Sequence, residues 1–305
     1  INAGQVAYSA TGYARFSGRL KTVSHAACLR VVPVGEGARM ERSPQGIRVY
    51  GTREVLLVLG GGTDFDPSSP TLVSGTESLC QRMDERVDRA AARGWTQMLA
   101  RHEDDFTSLS GRVDFQLAGA ATALPTDSLV ECYNDSSRNV TGREADALFL
   151  EQLYFAYGRY LMMGSSRGVD SPSNLQGIWN NRSHAAWNSD IHSNINVQMN
   201  YWPAESTNLS ELHLPFLNYV MGMAARDNWK RAATQYGGVR HGWTCFTENN
   251  IFGGMSLWGN NYFVANAWYC SHLWQHYRYT LDEDFLERAF PTLWSCAQFW
   301  MERMI

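Results

Sequence analysis

Residues 187–202 read WNSDIHSNINVQMNYW, and this stretch decides how the rest of the chain is read. Sixteen residues hold three aromatics (Trp187, Tyr201, Trp202), His192, Asp190 and five carboxamides, on Asn188, Asn194, Asn196, Gln198 and Asn200. Plain core would not carry so many polar groups, because each one buried needs a hydrogen-bond partner. Planar amides beside indole rings are what a site needs to grip a polyhydroxylated ring, so the first reading is a carbohydrate site. From Asn194 onward, amides at even positions alternate with Ile195, Val197, Met199 and Tyr201. Taken alone, that period describes a half-buried strand. Asn194 and Asn196 then point the same way, and their carboxamides can hold a water between them. An amide cannot take a proton at neutral pH. Such a pair orients a nucleophile and leaves the role of base to a carboxylate. The bland alternative is a structural polar network in a buried turn.

Working outward, SSRGVDSPSNLQGIWN (165–180), WNSDIHSNINVQMNYWPAESTNLSELH (187–213) and YFAYGRYLM (154–162) together resemble glycoside hydrolase family 95, the inverting 1,2-α-L-fucosidases. The resemblance is dense from 148 to 213. It continues more weakly through HGW (241–243), a Trp-rich run to His272, and HYRYTLDEDFL (276–286). Upstream it rests on LARHEDDFTSLSGRVDFQL (99–117). It implies a β-supersandwich, a helical linker and an (α/α)6 barrel, in that order. Mapped here, residues 1–75 are the end of the sandwich, 76–142 the linker with short strands and a loop, and 143–305 the first part of the barrel. The resemblance also overrides the strand reading: Asn194 and Asn196 should lie on an extended lead-in to a helix around 197–202.

The residue pattern agrees with this order. Residues 1–75 alternate short β-rich runs (28–34, 47–50, 55–59) with Gly, Pro and Ser, as an antiparallel sandwich does. Residues 76–112 are charged and helix-forming, with Met83, Val87, Met98, Leu99, Phe106 and Leu109 as an apolar stripe. From 143 onward long amphipathic segments dominate, at 148–163, 209–225, 261–279 and 286–304. GGGTDFDPSSP (60–70) lacks the Lys-Ser/Thr ending and the helix context of a phosphate loop.

Composition bounds the function without naming it. At 305 residues and 44% hydrophobic content the chain can bury a large core in more than one domain. A net charge of −4 and a pI near 6.1 give no basic surface, which argues against a nucleic-acid partner. No run of eighteen apolar residues offers a membrane span. Six cysteines (28, 80, 132, 245, 270, 296) stand far apart, without the spacing of a zinc cluster. They leave the compartment open, with a lean towards a secreted or periplasmic one. Sequons at Asn134, Asn139, Asn181 and Asn208 matter only in a eukaryotic secretory pathway. The chain does not start with Met and ends in what reads as an unterminated helix, FPTLWSCAQFWMERMI, so an internal fragment is expected.

The resemblance carries roles onto matching positions. Asn194 and Asn196 match the pair that orients the attacking water. His192 falls on the sugar-facing stretch and leans towards fucose over L-galactose; a hydrogen-bonded core histidine is the bland reading. The family's glutamate acid and aspartate base both follow the region where this chain stops, so the acid is expected to be missing here. Within the chain, Glu205, Glu248 and Asp190 are the nearest carboxylates. Glu205 is expected to pair within a helix bundle, Asp190 to fix its loop through backbone N–H groups, and Glu248 to reach sugar hydroxyls. Ten of the eleven tryptophans lie from Trp179 onward. Indole faces stack on sugar C–H faces. Trp258 and Trp268 flank GNNYFVANA as candidates for the pocket wall, and Trp179 with Asn180 closes NLQGIWN, where Gly177 permits a close approach. Trp294 and Trp300 are expected in the core. Ser165, Ser166 and His241 suggest a serine hydrolase, but no G-x-S-x-G elbow is present.

Two readings follow. One is an exo-acting glycosidase for terminal α-1,2-linked L-fucose, or α-L-galactose, with a fucosylated glycan as partner and neither metal nor organic cofactor implied. The other is a non-catalytic carbohydrate-binding protein on the same scaffold. A phosphorylase with a similar sandwich and barrel would need a phosphate site that the sequence does not offer.

Overall fold

The computed structural model describes residues 5–9, 11–43, 45–134, 143–254 and 262–304. Trp258 and the sequon asparagine Asn139 lie outside them. The chain divides into two compact units, residues 1–106 and 107–305.

In the first unit, β1 (Gln5–Tyr8), β2 (Tyr13–Arg19), β3 (Ser24–Val34) and β6 (Glu54–Thr63) form one antiparallel sheet in the order β1-β2-β3-β6. β4 (Arg39–Ser43) and β5 (Gly46–Tyr50) form a separate hairpin. The helix α1 (Thr76–Ser110) carries the expected stripe, with non-helical backbone at Gly94 (φ 73°, ψ 171°). Ala26 and Cys28 of β3 and Val58 of β6 pack against Leu79, Met83 and Val87 of α1. Each large apolar side chain removed from water there contributes roughly 1.5–3 kcal/mol. The glycines of GGGTDF end strand β6 and serve packing. A Cβ at Gly60 would stand 2.9 Å from Val87 Cγ1, and one at Gly62 would stand 3.3 Å from Met83 Cε. The stripe is not uniformly covered, since Leu99 is exposed.

The second unit is helical. It contains α2 (Thr126–Asn134), α3 (Glu144–Ser166), α4 (Asn196–Tyr201), α5 (Pro203–Ser206), α6 (Leu214–Ala224), α7 (Asp227–Gln235), α8 (Ala265–Thr280) and α9 (Glu283–Arg303). Two short strands, β7 (Ile191–His192) and β8 (Glu248–Asn249), form a ribbon. The apolar segments at 148–163, 261–279 and 286–304 correspond to α3, α8 and α9; the one at 209–225 is a 3₁₀ turn (Ser210–Leu212) followed by α6. Phe285 N donates to Asp282 Oδ1 at 2.9 Å and caps α9.

The core of this unit is aromatic. Trp229 and Trp243 stack at 5.3 Å, and Phe216 meets Tyr269 edge-on at 5.1 Å. Buried indoles need partners for their N–H, and Trp243 Nε1 donates to Thr292 O at 3.1 Å. Trp300 is half-buried and donates to Asn266 Oδ1 at 2.9 Å. Trp294 departs from the expectation: it is 52% exposed, on the face of α9 turned from the packed side. Among the described residues no helix is long and apolar enough to cross a membrane.

Candidate functional site

The ribbon is the scaffold of the site. β7 and β8 run antiparallel with Ile191 opposite Asn249 and His192 opposite Glu248, so the imidazole and the carboxylate emerge side by side. Beyond the pair, Ser193 N donates to Thr247 O at 2.8 Å. Buried polar groups around it are consumed in holding this shape. Ser193 Oγ donates to Phe246 O, Gln198 Nε2 donates to Ser193 O, and Asn249 Nδ2 donates to Phe246 O at 2.7 Å. Gln198 Oε1 is buried without a partner, and so is a ring nitrogen of His192. The His192 side chain is 8% exposed, yet Nε2 has no hydrogen-bond partner and stands 3.8 Å from Glu248 Oε1, too far for a hydrogen bond.

Asp190 completes a triad. One donor atom each from Asp190, His192 and Glu248 lie within 4.8 Å of one another. Burial pushes the Asp190 carboxyl up, and the Glu248 carboxylate adds to it. The expected anchoring of the loop by this carboxylate through backbone N–H groups is not what the structure has. The side chain pairs with Asn188 instead, and the backbone does the anchoring: Asp190 N donates to Trp187 O at 3.1 Å and Leu175 N donates to Asp190 O at 3.1 Å. An imidazole nitrogen with two carboxylates could hold a divalent cation, and the same set can grip sugar hydroxyls.

Asn194 lies in the turn after β7, exposed, and half-buried Asn196 is the first residue of α4. The helix therefore starts one residue before the expected 197, and the lead-in is a turn. Neither carboxamide is engaged in a hydrogen bond among the described residues. Val197, Gln198 and Tyr201 are the buried side of α4, a helical spacing that the alternation of the sequence concealed.

The loop before the triad is strained. Trp187, Asn188 and Ser189 are all left-handed, with φ of 51°, 57° and 52°. For non-glycine residues each such position costs roughly 1–3 kcal/mol and persists only where the surroundings enforce it. Trp187 is 60% exposed, and its ring meets His192 at 5.9 Å and 74°.

The other sequence candidates fall elsewhere. Trp179 lies against Gly177, where a Cβ would come within 2.7 Å of the ring, at the close approach expected. Asn180 is used locally: Nδ2 donates to Arg182 O at 2.8 Å and Oδ1 accepts from Arg182 N at 3.1 Å. Half-buried Trp268 pairs with Trp202 at 6.4 Å. Among the described residues no hydrogen bond or ring contact joins Trp179, Asn180 or Trp268 to the ribbon. Ser165 and Ser166 share a buried hydroxyl cluster with Ser173 and Tyr201, whereas His241 is exposed and pairs with Glu302. They do not form a nucleophile–base pair.

Glu205 belongs to a second, buried cluster. Its Oε1 accepts from His213 Nδ1 at 2.8 Å and from His276 Nδ1 at 2.7 Å. With Nδ1–H of His213 committed to the carboxylate, its Nε2 is the acceptor for His272 Nδ1–H at 2.9 Å. Burial pushes the Glu205 carboxyl up, but the hydrogen bonds from the two histidines outweigh it and hold it far below the usual carboxylate range. Burial lowers His213 despite Glu205, and burial takes His272 down to about 3. These nitrogens are engaged in hydrogen bonds, so the cluster acts as a clamp.

The clamp sets a pH dependence. Free imidazole titrates near about 6.5. A histidine whose folded pKa is depressed contributes its full stability above that value and loses it as pH falls towards the folded pKa. Glu205 acts in the same direction below the free carboxylate range. The thermal midpoint of the second unit is expected to fall as pH drops from 7 to 5 and to hold steady from 7 to 8.5. A His272→Asn variant should show a shallower fall, which a calorimetric pH series would measure.

The profile of the glycosyl hydrolase family 95 catalytic domain matches residues 94–305. Alpha-L-fucosidase 2 of Arabidopsis thaliana is 30% identical over 257 residues, which are 82% of this chain and 30% of that protein. Probable alpha-fucosidase A of Aspergillus niger is 29% identical over 267 residues, 84% of this chain and 32% of its own length. The similarly described protein of Aspergillus oryzae is 33% identical over 218 residues, 68% of this chain and 28% of its own. The chain thus spans about 30% of the length of the curated relatives it matches.

Proposed function

Because the chain belongs to glycosyl hydrolase family 95, we propose that it carries the water-orienting and sugar-gripping part of an inverting exo-glycosidase acting on terminal α-1,2-linked L-fucose. On this reading residues 1–75 close a β-supersandwich, 76–142 link it onward, and 143–305 begin an (α/α)6 barrel. The observation that carries the proposal is the state of the ribbon. Asn194 and Asn196 present unengaged carboxamides just beyond a buried, unpartnered His192 Nε2 and its neighbour Glu248. Polar groups with no structural work, gathered at one end of a ribbon, are what a polyhydroxylated ligand requires.

The chemistry assigned to them is limited and definite. The amide oxygens accept hydrogen bonds from one water and aim its lone pair at the anomeric carbon. The bond from that carbon to the aglycone oxygen breaks, an acid delivers a proton to that oxygen, and a carboxylate takes a proton from the water. Inversion needs acid and base roughly 6.5–9.5 Å apart with the water between. Glu205 is unsuited as the acid, since it is ionised and locked by two histidines. We assign both acid and base to segments outside these 305 residues. His192 and Glu248 then hold sugar hydroxyls, with fucose favoured over L-galactose. Trp179, Asn180, Trp258 and Trp268 keep only a subsidiary place, as candidates for the outer wall.

The test is hydrolysis of 2′-fucosyllactose by the 305-residue chain and by the protein extended at its C-terminus. The extended protein should release L-fucose, at a kcat/KM well above that for an α-L-galactoside, and the 305 residues alone should release none. Turnover by the 305 residues would place the acid inside them, and Asp190, whose carboxyl is pushed up, would be the first to replace. An extended protein that binds the sugar without cleaving it would favour the carbohydrate-binding alternative.

A further inference from the structure

Trp187 does not owe its position to burial. It is 60% exposed, yet it opens a run of three left-handed residues that are not glycine. The backbone is pinned around this run. Asn188 N donates to Ala185 O at 3.2 Å, Asp190 N donates to Trp187 O at 3.1 Å, and Gln176 Nε2 donates to Ala186 O at 3.3 Å. The loop thus keeps an unfavourable conformation while its largest apolar side chain is more than half exposed. Strain of this kind collects where a side chain must be presented to something.

The presentation has a geometry. The indole plane stands at 74° to the His192 imidazole with centroids 5.9 Å apart, so the two rings form a corner. His192 supplies a buried nitrogen with no partner, and Asp190 and Glu248 bring carboxyl oxygens to the same corner. A pyranose carries its equatorial hydroxyls in the ring plane and its C–H bonds on the faces. A galacto-configured ring in an α-glycoside has its axial 4-hydroxyl on one side and its axial anomeric oxygen on the other, where the axial C3–H and C5–H form an apolar patch. Such a ring can lay that patch on the indole while its edge hydroxyls meet the imidazole and the carboxylates.

We propose that Trp187 is the stacking platform for the terminal sugar, held upright beside His192 by the left-handed run 187–189. The inference rests on the assignment of a fucoside site, and it adds a residue and a recognised face to that site. It makes sugar affinity depend on the aromatic ring at 187, while the attacking water depends on Asn194 and Asn196.

The experiment uses the C-terminally extended protein with 2′-fucosyllactose and compares Trp187→Ala with Trp187→Phe. Trp187→Ala should raise KM about tenfold, the equivalent of one stacking contact, with kcat within about threefold. Trp187→Phe should restore most of the affinity. Saturation-transfer NMR should show the fucose C–H protons saturated from the protein in the wild type and in Trp187→Phe, with the signal weakened in Trp187→Ala. An unchanged KM in Trp187→Ala, with Asn196→Ala still sharply lowering kcat, would overturn the platform and leave the fucoside site standing. Equal losses of thermal stability in both variants with no change in KM would make Trp187 structural and overturn it as well. A wild type that neither binds nor cleaves the fucoside would remove the site assignment and the platform together.

Discussion

Replacing Asn194 or Asn196 with alanine is expected to lower kcat on 2′-fucosyllactose by roughly 10²–10³-fold in the C-terminally extended protein, with little change in KM. Polar groups aimed at a transition state, or assisting proton transfer there, are typically worth that much. The stability of each variant should stay within about 0.5 kcal/mol of the wild type, as expected for carboxamides with no hydrogen bond to lose. That separation gives the prediction its force. Asn194 is exposed in a turn and Asn196 half-buried at the start of α4, neither carboxamide engaged in a hydrogen bond among the described residues. If both were part of a structural network, alanine would lower the unfolding midpoint and the rate together. Stopped assays for kcat beside thermal melts of the same preparations read out both quantities.

Glu205→Ala has the opposite profile. It removes the acceptor for two buried imidazole N–H groups, His213 Nδ1 and His276 Nδ1, and releases His272 from its place in the chain of hydrogen bonds. Each stranded buried donor costs roughly 1–3 kcal/mol, and the variant as a whole roughly 3–5 kcal/mol. The clamp ties α5 to the segment before α6 and to α8, so the loss should appear as a lower urea midpoint with the slope preserved. Glu205→Gln keeps a carbonyl oxygen in place and should lose about half as much. A loss within about 0.5 kcal/mol for Glu205→Ala would show that the histidines find other partners and that the clamp is not a structural unit.

How much of this could be read from the sequence depends on the range of the interaction. The density of amides at 188–200 pointed to the candidate site, but the burial premise held for Gln198 alone, with Asn188, Asn194 and Asn200 exposed. The start of α4 came within one residue of expectation, although the alternation from Asn194 to Tyr201 spells a strand. Eight residues are too few to separate a period of two from one of 3.6, and the buried pair Val197 and Tyr201 is helical spacing. The pairing of His192 with Glu248 was not legible, nor was the clamp around Glu205, since His276 lies 71 positions away. Such contacts are set by tertiary packing, on which local pattern is silent. The left-handed run 187–189 had no glycine to announce it. Trp294 was assigned to the core by residue type, and its place on the exposed side of α9 follows from the helix phase fixed by Phe285, Ala289, Cys296 and Phe299.

The most direct test of the account is the configuration of the sugar at the moment of release. During hydrolysis of 2′-fucosyllactose by the C-terminally extended protein, the anomeric proton signals of free L-fucose can be followed by NMR before mutarotation mixes them. A water oriented by Asn194 and Asn196 on the face opposite the aglycone predicts β-L-fucose first, with the α-anomer growing in later. Initial release of α-L-fucose would mean a covalent, retaining route, and the role assigned to the two asparagines would be wrong.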